Sequence, residues 1–369
     1  MRISLLEKRE NFHFILKETL NKSTFFKDKV KNRKQEKFIV NRYLNFIATQ
    51  KINTNVFQNL INEYSNALVG WKKIIQKTYV HLAVSKVFRK FFGNKIIDLS
   101  ANFGEFLILG GNHRLRLFSK DLIFSVLLLK ENERIGYVAN DISVRTNQYL
   151  SYAPVVFESG KDWLKEEYFA GIPLNRLESQ DEIESYQEKV IKLHLEELLM
   201  LTKKQYTKSE YAAFVKNELT LIINNKSIQN TAIESDTITS LLDLLLNKIT
   251  ANSISVSWSH GDFQMANILI REKKFKVIDW ESADKRYYLY DLFILLGKVR
   301  TNDSLSESIV NFKNKISLLL NITISPDIII LLLIEELRFS VNEEYSENFY
   351  MSGVKTKQIC ESIQEYINE

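Results

Sequence analysis

Cysteine is nearly absent from this chain of 369 residues: Cys360 is its one thiol. That excludes an internal disulfide framework and a cysteine-based zinc site, and favours a reducing, cytoplasmic setting. Proline occurs only as Pro154, Pro173 and Pro326, so few positions force a helix to break. Long apolar runs are missing as well. The start, Met1 to Arg9, holds no uninterrupted apolar stretch of the secretory kind, and export is not expected. The longest aliphatic run, Ile328 to Ile334, is too short to cross a bilayer and meets Glu335-Glu336 directly, so it is expected to be a buried helix. The five histidines, His13, His81, His113, His194 and His260, lack the spacing of zinc ligands. No internal repeat or low-complexity tract is apparent.

What is present is the composition of a folded, helix-rich protein, with 45% apolar, 26% charged and 12% aromatic residues. The length suits two lobes and an appendage. The net charge of +5 hides an asymmetry. Residues 1 to 95 carry 20 Lys and Arg against 6 Asp and Glu, so the remainder is net acidic. A basic front piece suggests an anionic partner, such as a membrane surface, or contact with the acidic body, or simply a solvated helical face. No docking motif accompanies it, and no nucleic acid partner is expected.

Residues 1 to about 95 alternate apolar and basic residues at helical spacing, as in Trp71 to Lys77 and Val84 to Phe92, which predicts a basic helical N-terminal extension. After Gly93-Asn94 the pattern becomes short β-type runs at Glu105–Leu109, Arg114–Phe118, Leu122–Leu129, Val155–Phe157 and Leu164–Phe169, with helical character over Gly136–Leu150. From Ser179 onward helices dominate, interrupted by a hairpin at Ile268–Ile270 and Lys276–Ile278.

The segment Ser259-His260-Gly261-Asp262-Phe263-Gln264-Met265-Ala266-Asn267 and the later Val277-Ile278-Asp279-Trp280 carry the strongest signal. In type, order and spacing they resemble the aminoglycoside phosphotransferase and choline kinase family, with its H-G-D-x-x-x-x-N loop and I-D-[WF] strand end. The resemblance is close over residues 255 to 295 and loose over the rest of 100 to 345. It implies an α+β, bilobal protein-kinase-like fold after the helical extension expected over 1–95: a small antiparallel-sheet N-lobe over 96–172 and a mainly helical C-lobe over 173–369. It implies ATP and Mg²⁺ as cofactors, and transfer of the γ-phosphoryl group to a small-molecule hydroxyl. Phosphoryl transfer needs positioning and charge neutralisation more than covalent help, so carboxylates must hold metal against the phosphates. In the resembling enzymes the aspartate at Asp262 meets the acceptor hydroxyl, while Asn267 and Asp279 hold the metal. His260, grouped with Asp262 in the catalytic loop, and Gly261 are expected to shape that loop, and Gln264 to brace it. Asp291 is expected to cap a helix and tie the loop down.

The same resemblance assigns nucleotide contacts to Gly110, Gly111 and Asn112, where a turn lacking Cβ atoms lets backbone amides approach phosphate. It also assigns them to Lys130, gripping the α- and β-phosphates, and to the backbone of Glu166, Glu167, Tyr168 and Phe169 for adenine. The family's usual glutamate partner for that lysine is missing; Asp141 is best placed to replace it, with Glu133 as the alternative. Glu281, Asp284 and Glu335-Glu336 are candidates to receive a cationic acceptor, whereas Lys285-Arg286 suit a neutral or anionic sugar equally. Two other readings remain open: a kinase of a surface glycan or lipid-linked sugar whose basic Trp71–Lys95 stretch touches the membrane periphery, and a nucleotide-binding pseudokinase scaffold.

Overall fold

Segments rich in Phe, Ile, Val and Leu pair into sheets in the first part of the chain, and longer amphipathic segments coil into helices in the second. The computed structural model describes residues 23–25, 36–41, 46–49, 71–85, 87–88, 94–99, 107–110, 114–118, 123–129, 135–148, 150–223, 235–301, 304–346 and 354–368. Two compact units are present, one drawing on residues 1–142, 153–172 and 269–276, the other on 143–152, 173–268 and 277–369.

The first unit is built on an antiparallel sheet of eight strands: β1 (Glu36–Asn41), β2 (Phe46–Thr49), β3 (Asn94–Leu99), β4 (Leu107–Gly110), β5 (Arg114–Phe118), β6 (Phe124–Leu129), β7 (Val156–Ser159) and β8 (Trp163–Glu167). Their order is β3-β1-β2-β4-β5-β6-β8-β7. The five runs expected between Glu105 and Phe169 are all strands, within a residue or two at each end. The stretch before them differs from expectation. Helix α1 (Trp71–Val84) forms there, but β1 and β2 are strands, and β1 lies between β3 and β2 inside the sheet. The physical reason is local: Phe38, Ile39 and Val40 are all buried, so β1 reads as a continuous apolar run without alternation, set among basic residues that resemble a helix face. Helix α2 (Ile135–Asn147) sends Ile142 against buried Leu127 and Leu164.

β9 (Ile172–Pro173) and the hairpin of β12 (Ile268–Arg271) with β13 (Lys274–Val277) form a separate small sheet. The hairpin turn places Glu272 at φ 49° and Lys273 at φ 66°, the left-handed pair of a two-residue turn that matches strand twist.

In the second unit, α3 (Gln180–His194) starts at Ser179, whose side chain accepts from Glu182 N–H. It continues through a π-helical turn, Leu195–Leu199, to Thr202. α4 (Lys208–Ile223), α5 (Ser235–Lys248), α6 (Tyr290–Gly297), α7 (Leu305–Leu320), α8 (Pro326–Ser346) and α9 (Val354–Asn368) follow. β10 (Lys204–Thr207), β11 (Ser253–Ser259) and β14 (Asp284–Tyr287) make a three-stranded antiparallel sheet. The aliphatic run Ile328–Ile334 lies in α8 and is largely buried, as expected. Every residue of α6 is buried. Among the described residues no helix is long and apolar enough to cross a membrane.

Candidate active site

β11 delivers Ser259 directly into the loop that begins at His260. Gly261 follows at φ 85°, and a Cβ there would stand 2.3 Å from the Ser282 carbonyl and 2.7 Å from Arg286 Nη1. Only glycine fits that turn. Asp291, the second residue of α6 and fully buried, gathers the loop through its two carboxylate oxygens. Oδ1 accepts from Ser259 Oγ (2.7 Å) and Gly261 N–H (2.9 Å); Oδ2 accepts from His260 N–H (2.7 Å) and faces His194 Nε2 at 2.8 Å. Burial favours the neutral acid, yet the hydrogen bonds and charge proximity of His194, followed by His260 and Ser259, overcome it and hold Asp291 well below the usual carboxylate range. The expected tying of the loop is thus observed. A helix cap is not, because the N-cap residue Leu289 receives no side-chain bond.

Two histidines complete this frame. Tyr152 hydroxyl lies 2.8 Å from His194 Nδ1, and the His194 ring stacks on Phe263 with centroids 4.0 Å apart. His260 is fully buried, and burial lowers its pKa against the opposing pull of Asp291 and Asp262. The neutral ring then donates from Nε2 to the Ile278 carbonyl (2.9 Å) and accepts at Nδ1 from Asp262 N–H (3.3 Å). Both ring nitrogens are occupied, so His260 braces the loop and has no lone pair left for a base.

Asp262 Oδ2 accepts from Gln264 Nε2 (2.7 Å) and Asn267 Nδ2 (3.1 Å), and Asn267 Nδ2 also reaches the Asp262 carbonyl at 2.9 Å. Asn267 lies in a 3₁₀ turn whose carbonyl accepts from Ile278 N–H at 2.9 Å. The residue after Ile278, Asp279, adopts φ 72° and ψ 49°, a left-handed conformation. The loop and the chain leading to Asp279 are therefore stitched together twice through Ile278.

Arg300, which sequence reasoning missed, closes the far side of Asp262. Its Nε donates to Asp262 Oδ1 (3.2 Å), Nη1 to Glu336 Oε1 (2.5 Å) and Nη2 to the Tyr290 hydroxyl (3.1 Å), while the guanidinium lies 4.1 Å from the Phe339 ring centroid. Burial opposes the charge, but Glu336, Tyr290 and Asp262 more than restore it. Three of the acidic residues considered for a cationic acceptor, Asp284, Glu335 and Glu336, pair with arginines. Glu336 pairs with Arg300; Glu335, fully buried, takes Tyr211 Oη and Tyr287 N–H and pairs with Arg338; Asp284 sits 3.6 Å from Arg338. Glu335 and Glu336 form internal ion pairs and do not line an open acceptor site.

Of the expected nucleotide residues, Gly111, Asn112 and Lys130, and the alternative acid Glu133, lie outside the described residues. Gly110 ends β4, which pairs antiparallel with β5. Asp141 lies buried on α2. Glu166 pairs with Arg116 (3.2 Å) and Glu167 with Lys276 (3.4 Å). Tyr168 N–H bonds the Ile123 carbonyl, and the Phe169 ring lies 4.9 Å from the Arg271 guanidinium. Among the described residues no three His, Cys, Asp or Glu side chains gather as a metal cage. A carboxylate and an amide oxygen nevertheless fit Mg²⁺, which takes few protein ligands and completes its shell with phosphate and water.

Residues 205–311 match the model described as APH, Phosphotransferase enzyme family. The match covers this segment and not the rest of the chain. The segment contains His260, Asp262, Asn267, Asp279 and Asp291, the residues on which the resemblance read from the sequence rests. No curated protein matches the chain. Solved structures similar to this chain include a choline/ethanolamine kinase family protein from Mesorhizobium loti (10% identity, 80% of this chain and 95% of that one, TM-score 0.47). Others are choline kinase LicA from Streptococcus pneumoniae (16%, 70% and 92%, 0.46) and a thermostable mutant of aminoglycoside phosphotransferase APH(4)-Ia (13%, 72% and 96%, 0.49).

Proposed function

We propose that the chain transfers the γ-phosphoryl group of ATP to a hydroxyl of a small molecule, a sugar, an amino alcohol or an aminoglycoside-like compound. The observation that carries the reading is the contact of the Asp262 carboxylate with the Asn267 amide, on a loop fixed by buried Asp291 and stitched to the strand end that bears Asp279. Asp262 orients the acceptor hydroxyl and takes its proton as the oxygen bonds to the γ-phosphorus and the bond to ADP breaks. Arg300 acts as a positioning residue, holding one carboxylate oxygen while Gln264 and Asn267 hold the other. Asn267, its Nδ2 engaged with Asp262, keeps its Oδ1 for metal, and Asp279 supplies the second ligand. Mg²⁺ bound there supplies neutralisation of the triphosphate charge.

The test is a phosphate-transfer screen of amino alcohols, aminoglycosides and free and glycan-linked sugars with labelled ATP, run on the wild type and Asp262→Ala. Transfer that drops by about 10²-fold or more in the variant is expected. An Asp262→Ala protein that transfers as fast as wild type removes Asp262 as base.

A second reading, action on a surface glycan or lipid-linked sugar, is favoured by one observation. Trp71, Ile74 and Ile75 of α1 and Val87 and Phe88 after it are exposed in a basic stretch, as on a helix that lies on anionic lipid. Sedimentation with liposomes decides: equal partitioning with and without anionic lipid removes it.

A further inference from the structure

β10 accompanies β11 only as far as Val256. Beyond that point the Trp258 N–H is met by Thr202 Oγ1 at 3.0 Å instead of by a strand. A cavity of about 300 Å³ is lined here by Lys203, Lys204, Lys285, Trp258, Tyr206 and Ser257, among others. None of the three lysines forms an ion pair with a carboxylate among the described residues. Lys203 Nζ lies 4.5 Å from the Tyr288 ring centroid and Lys285 Nζ 5.7 Å from that of Trp258. Ser257 is 1% exposed, and its hydroxyl has no hydrogen-bond partner.

Three uncompensated cations around one cavity repel one another, and residues 96 to 369, where they lie, are net acidic, so general basicity does not account for them. We propose that this cavity binds a phosphomonoester. A dianionic phosphate offsets several ammonium groups where a single carboxylate offsets one, and lysines serve phosphate as point-charge donors. The Trp258 and Tyr206 rings and the Lys stems offer apolar surface to a carbon skeleton. The volume sits at the low end for small-molecule pockets, matching a phosphorylated sugar better than a nucleotide. Occupancy would be felt at the active site through β11, which runs from Trp258 straight into Ser259-His260. The phosphomonoester is either a soluble metabolite or a lipid headgroup, which share the same recognition chemistry.

The test uses the full chain with its nucleotide site filled by a non-hydrolysable ATP analogue and Mg²⁺. Titration calorimetry with a hexose 6-phosphate, and in parallel sedimentation with phosphatidylcholine vesicles with and without phosphatidic acid, separates the two sources. Binding of either phosphomonoester, absent for the unphosphorylated hexose and plain vesicles, is expected to weaken about tenfold or more in a Lys203→Ala/Lys285→Ala protein. Lys204→Glu, at an exposed position, gives the same comparison should the double variant fail to fold. Absence of binding to both probes by wild type, or equal binding by wild type and both variants, overturns the proposal.

Discussion

Two residues in the loop region hold positive φ for different reasons. Gly261 does so because neighbouring atoms leave no room for a Cβ; Asp279 does so with a short polar side chain, among the few that tolerate the left-handed region. Gly261→Ala should therefore cost at least the ~1–3 kcal/mol of a strained backbone, and the clash with Ser282 and Arg286 adds to it. Denaturant melts on the folded variant check this, with transfer activity falling in step. Arg300 gives a second residue-scale outcome. Arg300→Ala leaves Glu336, 2% exposed, without its cation, a loss of about 3–5 kcal/mol for a broken buried pair. Arg300→Lys keeps a charge but not the three-way fork. It should recover most of the stability and little of kcat, with KM for ATP unchanged; full recovery of kcat would show that charge alone is needed.

At the scale of elements, the join between α6 and the catalytic loop rests on one carboxylate receiving three N–H or O–H donors and a histidine. Asp291→Asn offers one acceptor oxygen in its place, and about 3–5 kcal/mol of stability should go. The sign of its pH dependence follows from the depressed acidity of Asp291 in the fold. Its stabilisation is complete above the unfolded carboxylate value near ~4 and fades as pH falls through lower values. The gap between wild type and Asp291→Asn in guanidinium midpoints should stay level from pH 8 to about 5 and narrow below about 4. The loop itself was legible in the sequence because His260, Gly261, Asp262 and Asn267 sit in one short register, and the hairpin because β-type runs flank a polar turn. Arg300 was not, because its partners at 262, 290 and 336 are far from it in sequence and no local pattern marks them. Glu335 pointed the wrong way for the opposite reason: its partner Arg338 is only one helical turn on, and full burial makes the two an internal ion pair. β1 was lost to the basic residues around it, which imitate a helix face while its Phe38, Ile39 and Val40 are buried in a sheet; β2 beside it went unread as well.

For the whole molecule, a ligand that binds only the folded chain raises its stability by mass action. MgATP at 100 times its dissociation constant should add about 2.7 kcal/mol. In Asp279→Ala the shift in melting temperature should lose its dependence on Mg²⁺; a dependence equal to wild type removes Asp279 from the metal site. The His260 imidazole, bonded to the carbonyl of Ile278 while the Ile278 amide bonds the carbonyl of Asn267, clips two distant stretches of chain into one rigid bracket. On the proposed function, a nucleotide bound there would meet a receptacle already set, little of its affinity would go into ordering the bracket, and calorimetry should record a small entropic penalty from this part of the protein.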